Sequence, residues 1–178
     1  MADEIHTNNR TLRLMIGDIT DIEVSSFVFY ANHDLQLGSG YGTAISQRGG
    51  PSVQEELKQM GPLNTTDVVV SSAGEMKAEH IFHAVGPRFQ EQELESKLKT
   101  TIQKTLKLAD EKGISQIAFP AMGTGFFGIP LETSARVTIN TIKDYMANNT
   151  AIKEFVICLL DKREYKPFKA EMDKHQNA

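Results

Sequence analysis

Three glycine-bearing runs carry the residue types and spacing that could do chemistry. The first is Gly17-Asp18-Ile19-Thr20. A carboxylate at the end of a strand accepts a hydrogen bond from an exocyclic amine such as that of adenine, and inside a cleft such a bond confers specificity. Asp18 is equally suited to closing a tight turn or capping a helical turn, so both roles stay open. The second run is Ala31-Asn32-His33-Asp34-Leu35-Gln36-Leu37-Gly38-Ser39-Gly40-Tyr41-Gly42-Thr43-Ala44-Ile45. Gly38, Gly40 and Gly42 let backbone approach a ligand closely. If a helix begins near Tyr41, its unpaired N–H groups and positive dipole end form an anion site. Otherwise the run is a flexible turn. His33 and Asp34 are adjacent, which suits either an acid-base pair or an ordinary polar loop. The third run is Pro120-Ala121-Met122-Gly123-Thr124-Gly125-Phe126-Phe127-Gly128-Ile129-Pro130. Its Gly123, Gly125 and Gly128 satisfy G-x-G-x-x-G between a strand and a helix, a pattern that cradles a diphosphate. Phe126 and Phe127 either cover a base or ribose or pack inward against the sheet.

Other chemistries are poorly served. A nicotinamide dehydrogenase carries such a glycine loop in its first βαβ unit, with an acidic residue about 20 positions on. Here the loop comes late, and that position falls near Asn148. His80 and His83 stand three apart on a predicted strand and face opposite ways, unfit for one metal. The single cysteine, Cys158, sits in the apolar run Phe155-Val156-Ile157-Cys158-Leu159-Leu160 and reads as a small buried hydrophobe. The sequence has no Walker A loop, Gly-x-Ser-x-Gly elbow or zinc spacing, so no metal and no cofactor is implied. With 19 Lys and Arg against 23 Asp and Glu, the net charge is −4, without the basic excess of a general nucleic-acid binder. No apolar stretch approaches the roughly 18 residues of a membrane span, and the acidic N-terminus does not resemble a secretory signal. A soluble cytoplasmic protein is expected.

At 178 residues and 40% apolar content, one domain is expected, with a core over about residues 11–176 and frayed polar tails that include the first nine residues. Strands are predicted at 11–16, 26–31, 67–72, 80–85, 116–120 and 153–160 from apolar runs ending in turn-forming residues. Leu94, Leu98, Ile102, Leu106 and Ala109 mark an amphipathic helix ending near Gly113, and Leu131, Ala135, Ile139 and Ile142 mark another opening at Pro130. A short helix is expected around residues 53–58 and a terminal one over 162–176. The order is mixed at the front and strand-helix-strand-helix behind, which indicates an α/β fold, a three-layer α/β/α sandwich with a mixed central sheet. Ligands in such sheets bind beyond the carboxyl ends of the strands, where the three glycine-bearing runs fall.

Together these runs resemble the macrodomain family. The likeness spans about residues 11–160 and is carried by Gly17-Asp18-Ile19-Thr20, Ala31-Asn32 with its Gly-rich loop, Gly49-Gly50-Pro51-Ser52, His83-Ala84-Val85-Gly86-Pro87, and the 120–130 loop. The resemblance implies a cleft binding ADP-ribose or an ADP-ribosylated protein. Asp18 and Ile19 would then meet the adenine, with Gly38, Gly40, Tyr41 and Gly42 on one face of the phosphates. Gly123, Thr124, Gly125, Phe126 and Phe127 would lie on the other face, and Asn32 at the distal ribose. The chain departs from the family pattern where Phe29-Tyr30 precede Ala31-Asn32 and where Gly42 replaces an aspartate of hydrolytic members. A binding module is therefore expected. The alternative is a hydrolase removing acetyl, phosphate or protein from ADP-ribose, with Asn32, His33 or Asp34 activating water. A poly(A) or RNA-binding module is a further alternative. Gly42→Asp would restore the missing base if the loop accepts a side chain.

Overall fold

The computed structural model describes residues 3–38 and 40–176. A seven-stranded mixed sheet runs β1(Glu4–Thr7), β2(Arg10–Ile16), β7(Glu154–Leu159), β6(Gln116–Phe119), β3(Ser26–Tyr30), β5(His80–Ala84), β4(Val68–Ser72) in spatial order. The two outer pairs are antiparallel and the four inner pairings parallel. One face carries α1(Tyr41–Gly49) and α2(Pro51–Leu57) through Ile45, Val53 and Leu57. The other carries α3(Leu94–Glu111), α4(Leu131–Met146) and α5(Lys162–Gln176). Leu98, Ile102, Leu106 and Ala109 of α3 are fully buried at helical spacing, and each of the larger three contributes about 1.5–3 kcal/mol by leaving water. The three layers of the expected sandwich are present. No helix of the described residues is long and apolar enough to cross a membrane.

The N-terminal expectation needs correcting. Residues 4–7 are a strand, paired antiparallel with β2 in the register Thr7↔Arg10. Asn8 and Asn9 both take positive φ, 52° and 64°, the conformation of a two-residue hairpin turn whose twist matches the flanking strands. Ile5 points into the core while its neighbours stay at the surface. Arg10 then buries its guanidinium, donating to the carbonyls of Met146, Asn148 and Thr150 at 2.8 Å each. Those carbonyls end α4 and follow it, so the arginine satisfies acceptors that the helix cannot.

The sheet positions the site through its crossovers. From the end of β3 the chain passes to α1, and from the end of the adjacent β6 it passes to α4 on the opposite face. Neighbouring strands whose continuations leave in opposite directions open a crevice at their carboxyl ends. β3 and β6 pair only at Phe27↔Ala118, which leaves their ends apart.

His83 on β5 is fully buried beside the edge of Phe29, with Nε2 2.8 Å from Ser71 Oγ. Burial pushes its imidazole down to about 3. The unfolded chain therefore takes up a proton near pH 6.5 that the folded chain refuses, so this residue's contribution is complete above pH 6.5 and is lost as pH falls towards 3. Between pH 7 and pH 5 the loss amounts to about 2 kcal/mol at 1.4 kcal/mol per unit. Urea unfolding at both pH values should show that difference shrinking by this amount in His83→Gln. An unchanged difference would mean the imidazole charges without penalty.

Candidate functional site

A cleft of about 360 Å³ lies at the carboxyl ends of the inner strands. Ile19 follows β2, Tyr30 ends β3 and Asn32 follows it, Gly40 and Tyr41 open α1, and Gly123, Thr124, Gly125, Phe126 and Phe127 follow β6; all line the cleft. The fold thus brings residues of the three glycine-bearing runs to one place. The cleft's size and mostly apolar wall suit a nucleotide-sized ligand.

The loop after β3 reaches α1 through Gly40, whose φ of 56° favours glycine. α1 starts at Tyr41 with no side-chain cap and no acidic residue in its first turn. Its first N–H groups and dipole remain available to an anion. Across the cleft, Gly123 takes φ 76°, and a Cβ there would stand 2.3 Å from Ile129 Cδ1, so only glycine fits. Ile129 N–H donates to the Gly123 carbonyl at 2.9 Å and closes the loop into a ring. Within it Gly125–Phe127 forms a single 3₁₀ turn not anticipated from sequence.

The two phenylalanines of that turn divide the alternatives between them. Phe127 packs inward, its ring 4.8 Å from that of Tyr30 with the Arg88 guanidinium 5.5 Å above it. Phe126 stands 82% exposed on the rim. Tyr30 is anchored by donating from its hydroxyl to the Pro87 carbonyl at 2.5 Å, and Gly86 is required beside it because a Cβ there would lie 2.2 Å from the phenol oxygen.

Not every expected site residue lines the cleft. Asp18 sits just outside it, beside Ile19. Its Oδ1 accepts from the Thr20 N–H at 2.9 Å and hydroxyl at 2.6 Å, and Oδ2 accepts from Arg48 at 3.3 Å. Partial burial raises its pKa, but the Thr20 hydrogen bonds and the Arg48 charge outweigh that, and the carboxyl lies below its ordinary value. The turn-forming role of Asp18 is therefore present, and a carboxylate 42% exposed retains acceptor capacity towards a ligand. Gly38 is exposed and lies outside the lining, with open space around it. Gly42 is buried within α1 and does not line the cleft. His33 and Asp34 are exposed and turned elsewhere: His33 Nδ1 lies 2.8 Å from the Leu63 carbonyl, and Asp34 accepts from the Gln36 N–H at 3.0 Å. Of the three proposed water-activating residues, Asn32 alone faces the cleft.

Cys158, at the carboxyl end of β7, is buried. Desolvation, then the charges of Asp18 and Glu164, push its thiol up to about 12, and it stays a core residue. Burial and then the Glu164 charge likewise raise Tyr41. Glu164 itself lines the cleft and was missed in the sequence. The signal was there in Asp161-x-x-Glu164 at the start of α5, a capping pair. Asp161 accepts from the Glu164 N–H at 3.0 Å, and Glu164 Oε1 reaches back to the Leu160 N–H at 2.8 Å. Among the described residues no group of three or more His, Cys, Asp or Glu is placed to hold a metal ion.

The geometry is shared with known proteins. An Oceanobacillus iheyensis macrodomain variant solved with ADPR superposes with a TM-score of 0.93 over 98% of each chain, at 26% identity. A protein of Saccharolobus solfataricus is 42% identical over 161 residues, spanning 88% of this chain and 89% of its own length. A Pantoea vagans protein named O-acetyl-ADP-ribose deacetylase 1 is 30% identical over 162 residues, spanning 88% and 95% respectively. The Macro domain model matches residues 28–138. The carboxyl end of β3, the Gly-rich loop into α1 and the loop after β6, which supply most of the cleft's lining, fall in that stretch, and the chain belongs to the Macro domain family.

Proposed function

We propose that this domain binds ADP-ribose, free or attached to a protein, in the cleft between α1 and the loop after β6. The observation that carries the reading is the opposition of two glycine-rich loops across one cleft, with Asp18 and Ile19 at one end and Asn32 among the wall residues. Backbone N–H groups from both sides suit a diphosphate, and the carboxylate suits an adenine amine. The superposed macrodomain solved with ADPR supports the same ligand.

Hydrolysis of an ADP-ribose ester is the second reading, favoured by the name of the Pantoea vagans relative. Against fast turnover, His33 and Asp34 point away from the cleft and Gly42 offers no base. Asn32 can orient water but cannot take its proton. The binding role therefore leads. RNA binding is disfavoured by the net charge of −4.

Calorimetry separates these readings. ADP-ribose should bind at least about tenfold more tightly than AMP, because the second phosphate engages the second loop. Asp18→Ala should weaken both by about 1–3 kcal/mol, the loss of a charge-assisted hydrogen bond. Equal affinities for the two nucleotides would mean the glycine loops do not read a diphosphate. Tight poly(A) binding with a steep salt dependence would instead favour the RNA reading.

A further inference from the structure

Among the described residues that line the cleft, Glu164 is the one charged side chain. A carboxylate in the wall of a diphosphate site adds repulsion unless it faces a part of the ligand that donates hydrogen bonds. Sheet order says which part. β7, from which Glu164 follows, lies between β2 and β6. Its loop therefore stands between the Asp18-Ile19 turn at the base end and the Gly123–Phe127 stretch at the phosphate end. In a nucleoside diphosphate the group between base and phosphates is the ribose, whose 2′ and 3′ hydroxyls are donors.

The side chain is also held ready for that task. It is 14% exposed, and Oε1 is fixed by the Leu160 N–H at 2.8 Å. The nearest cation to Oε2 is the Arg163 guanidinium at 4.0 Å, on a side chain 68% exposed. One oxygen thus anchors the carboxylate, and the other keeps acceptor capacity at the cleft. An acidic residue after a strand performs this service in dinucleotide-binding sheets of a different topology, where it also excludes a 2′-phosphate.

We propose that Glu164 is a specificity-determining residue that accepts hydrogen bonds from the hydroxyls of the base-bearing ribose and rejects ligands carrying a 2′-phosphate there. The inference rests on the ADP-ribose reading and deepens it. Like charges brought together in a partly desolvated cleft repel strongly, so the charge of Glu164 sets the discrimination.

The test is calorimetry of the whole domain with ADP-ribose and with ADP-ribose phosphorylated at the adenosine 2′ position, on the natural protein and on Glu164→Gln. Glutamine keeps a carbonyl acceptor for the Leu160 N–H, so α5 stays capped, and a thermal melt checks this. The natural protein should prefer ADP-ribose by at least about tenfold, and Glu164→Gln should narrow the ratio by about fivefold or more through tighter binding of the phosphorylated ligand. The natural-protein comparison needs no variant, and equal affinities there would overturn the inference. An unchanged ratio in a folded Glu164→Gln would overturn it too, while leaving ADP-ribose binding intact. Failure of the natural protein to bind either ligand would overturn the broader reading and this one with it.

Discussion

Gly125→Glu is expected to lower ADP-ribose affinity by more than about 100-fold while the domain stays folded. Gly125 is exposed, lines the cleft and has nothing within 4 Å of the position its Cβ would take, so a side chain there meets no steric bar, and under the proposed ADP-ribose reading a carboxylate there stands beside the diphosphate. A carboxylate in that space meets like charge where the loop N–H groups should meet phosphate. The backbone penalty is local: at φ +67° a non-glycine residue costs about 1–2 kcal/mol. For a domain of this size that corresponds to a fall of about 2–8 °C in Tm. Gly125→Ala bears the same backbone penalty without the charge and should keep most of the affinity, which separates repulsion from loop distortion. Affinity retained in Gly125→Glu would remove the loop after β6 from the binding site.

The second large effect concerns Gly42, where the sequence invited the idea that aspartate would restore a catalytic base. The structure argues otherwise. A Cβ at Gly42 would lie 3.1 Å from both the Cα and carbonyl carbon of Leu37 and 3.3 Å from Phe29 Cζ. Leu37 has little freedom to retreat, because its N–H donates to Gln54 Oε1 at 2.9 Å and its side chain is buried. Overpacking of this kind typically costs about 1–3 kcal/mol, which outweighs the roughly 1 kcal/mol that a helix gains on losing glycine. Gly42→Asp is therefore expected to melt lower, to bind ADP-ribose more weakly because the start of α1 shifts, and to show no gain in ester hydrolysis. The check is a thermal melt with single-turnover assay of O-acetyl-ADP-ribose. A rise of 10²-fold or more in rate with the fold unchanged, the scale of general-base catalysis, would show that α1 accommodates the side chain and that water sits within its reach.

Much of this architecture was legible because the inner strands are apolar runs and the helices carry stripes at 3.6-residue spacing. α3 is a case in point, its Leu98, Ile102, Leu106 and Ala109 buried along one stripe as expected. β1 was illegible for the opposite reason. Glu4-Ile5-His6-Thr7 is an edge strand with one inward side chain, and its clearest mark, Asn8-Asn9, is a weaker hairpin signal than Asn-Gly. The cleft was readable from glycines, since Gly40 and Gly123 take φ values that other residues resist. Side-chain direction was not. Whether His33 and Asp34 face the cleft depends on a turn that sends His33 toward the Leu63 carbonyl, a contact 30 positions away. Glu164 was hidden because its place in the cleft wall depends on β7 inserting between β2 and β6.

An amide NMR titration of the labelled domain with ADP-ribose tests the central claim most directly. The expected perturbations centre on Ile19, Asn32, Gly40, Tyr41 and Gly123–Phe127 and saturate together, while amides on the outer faces of α3 and α4 stay still. An absence of shifts at saturating ligand, or shifts confined to the α3 and α4 surface, would contradict the assignment of this cleft to ADP-ribose.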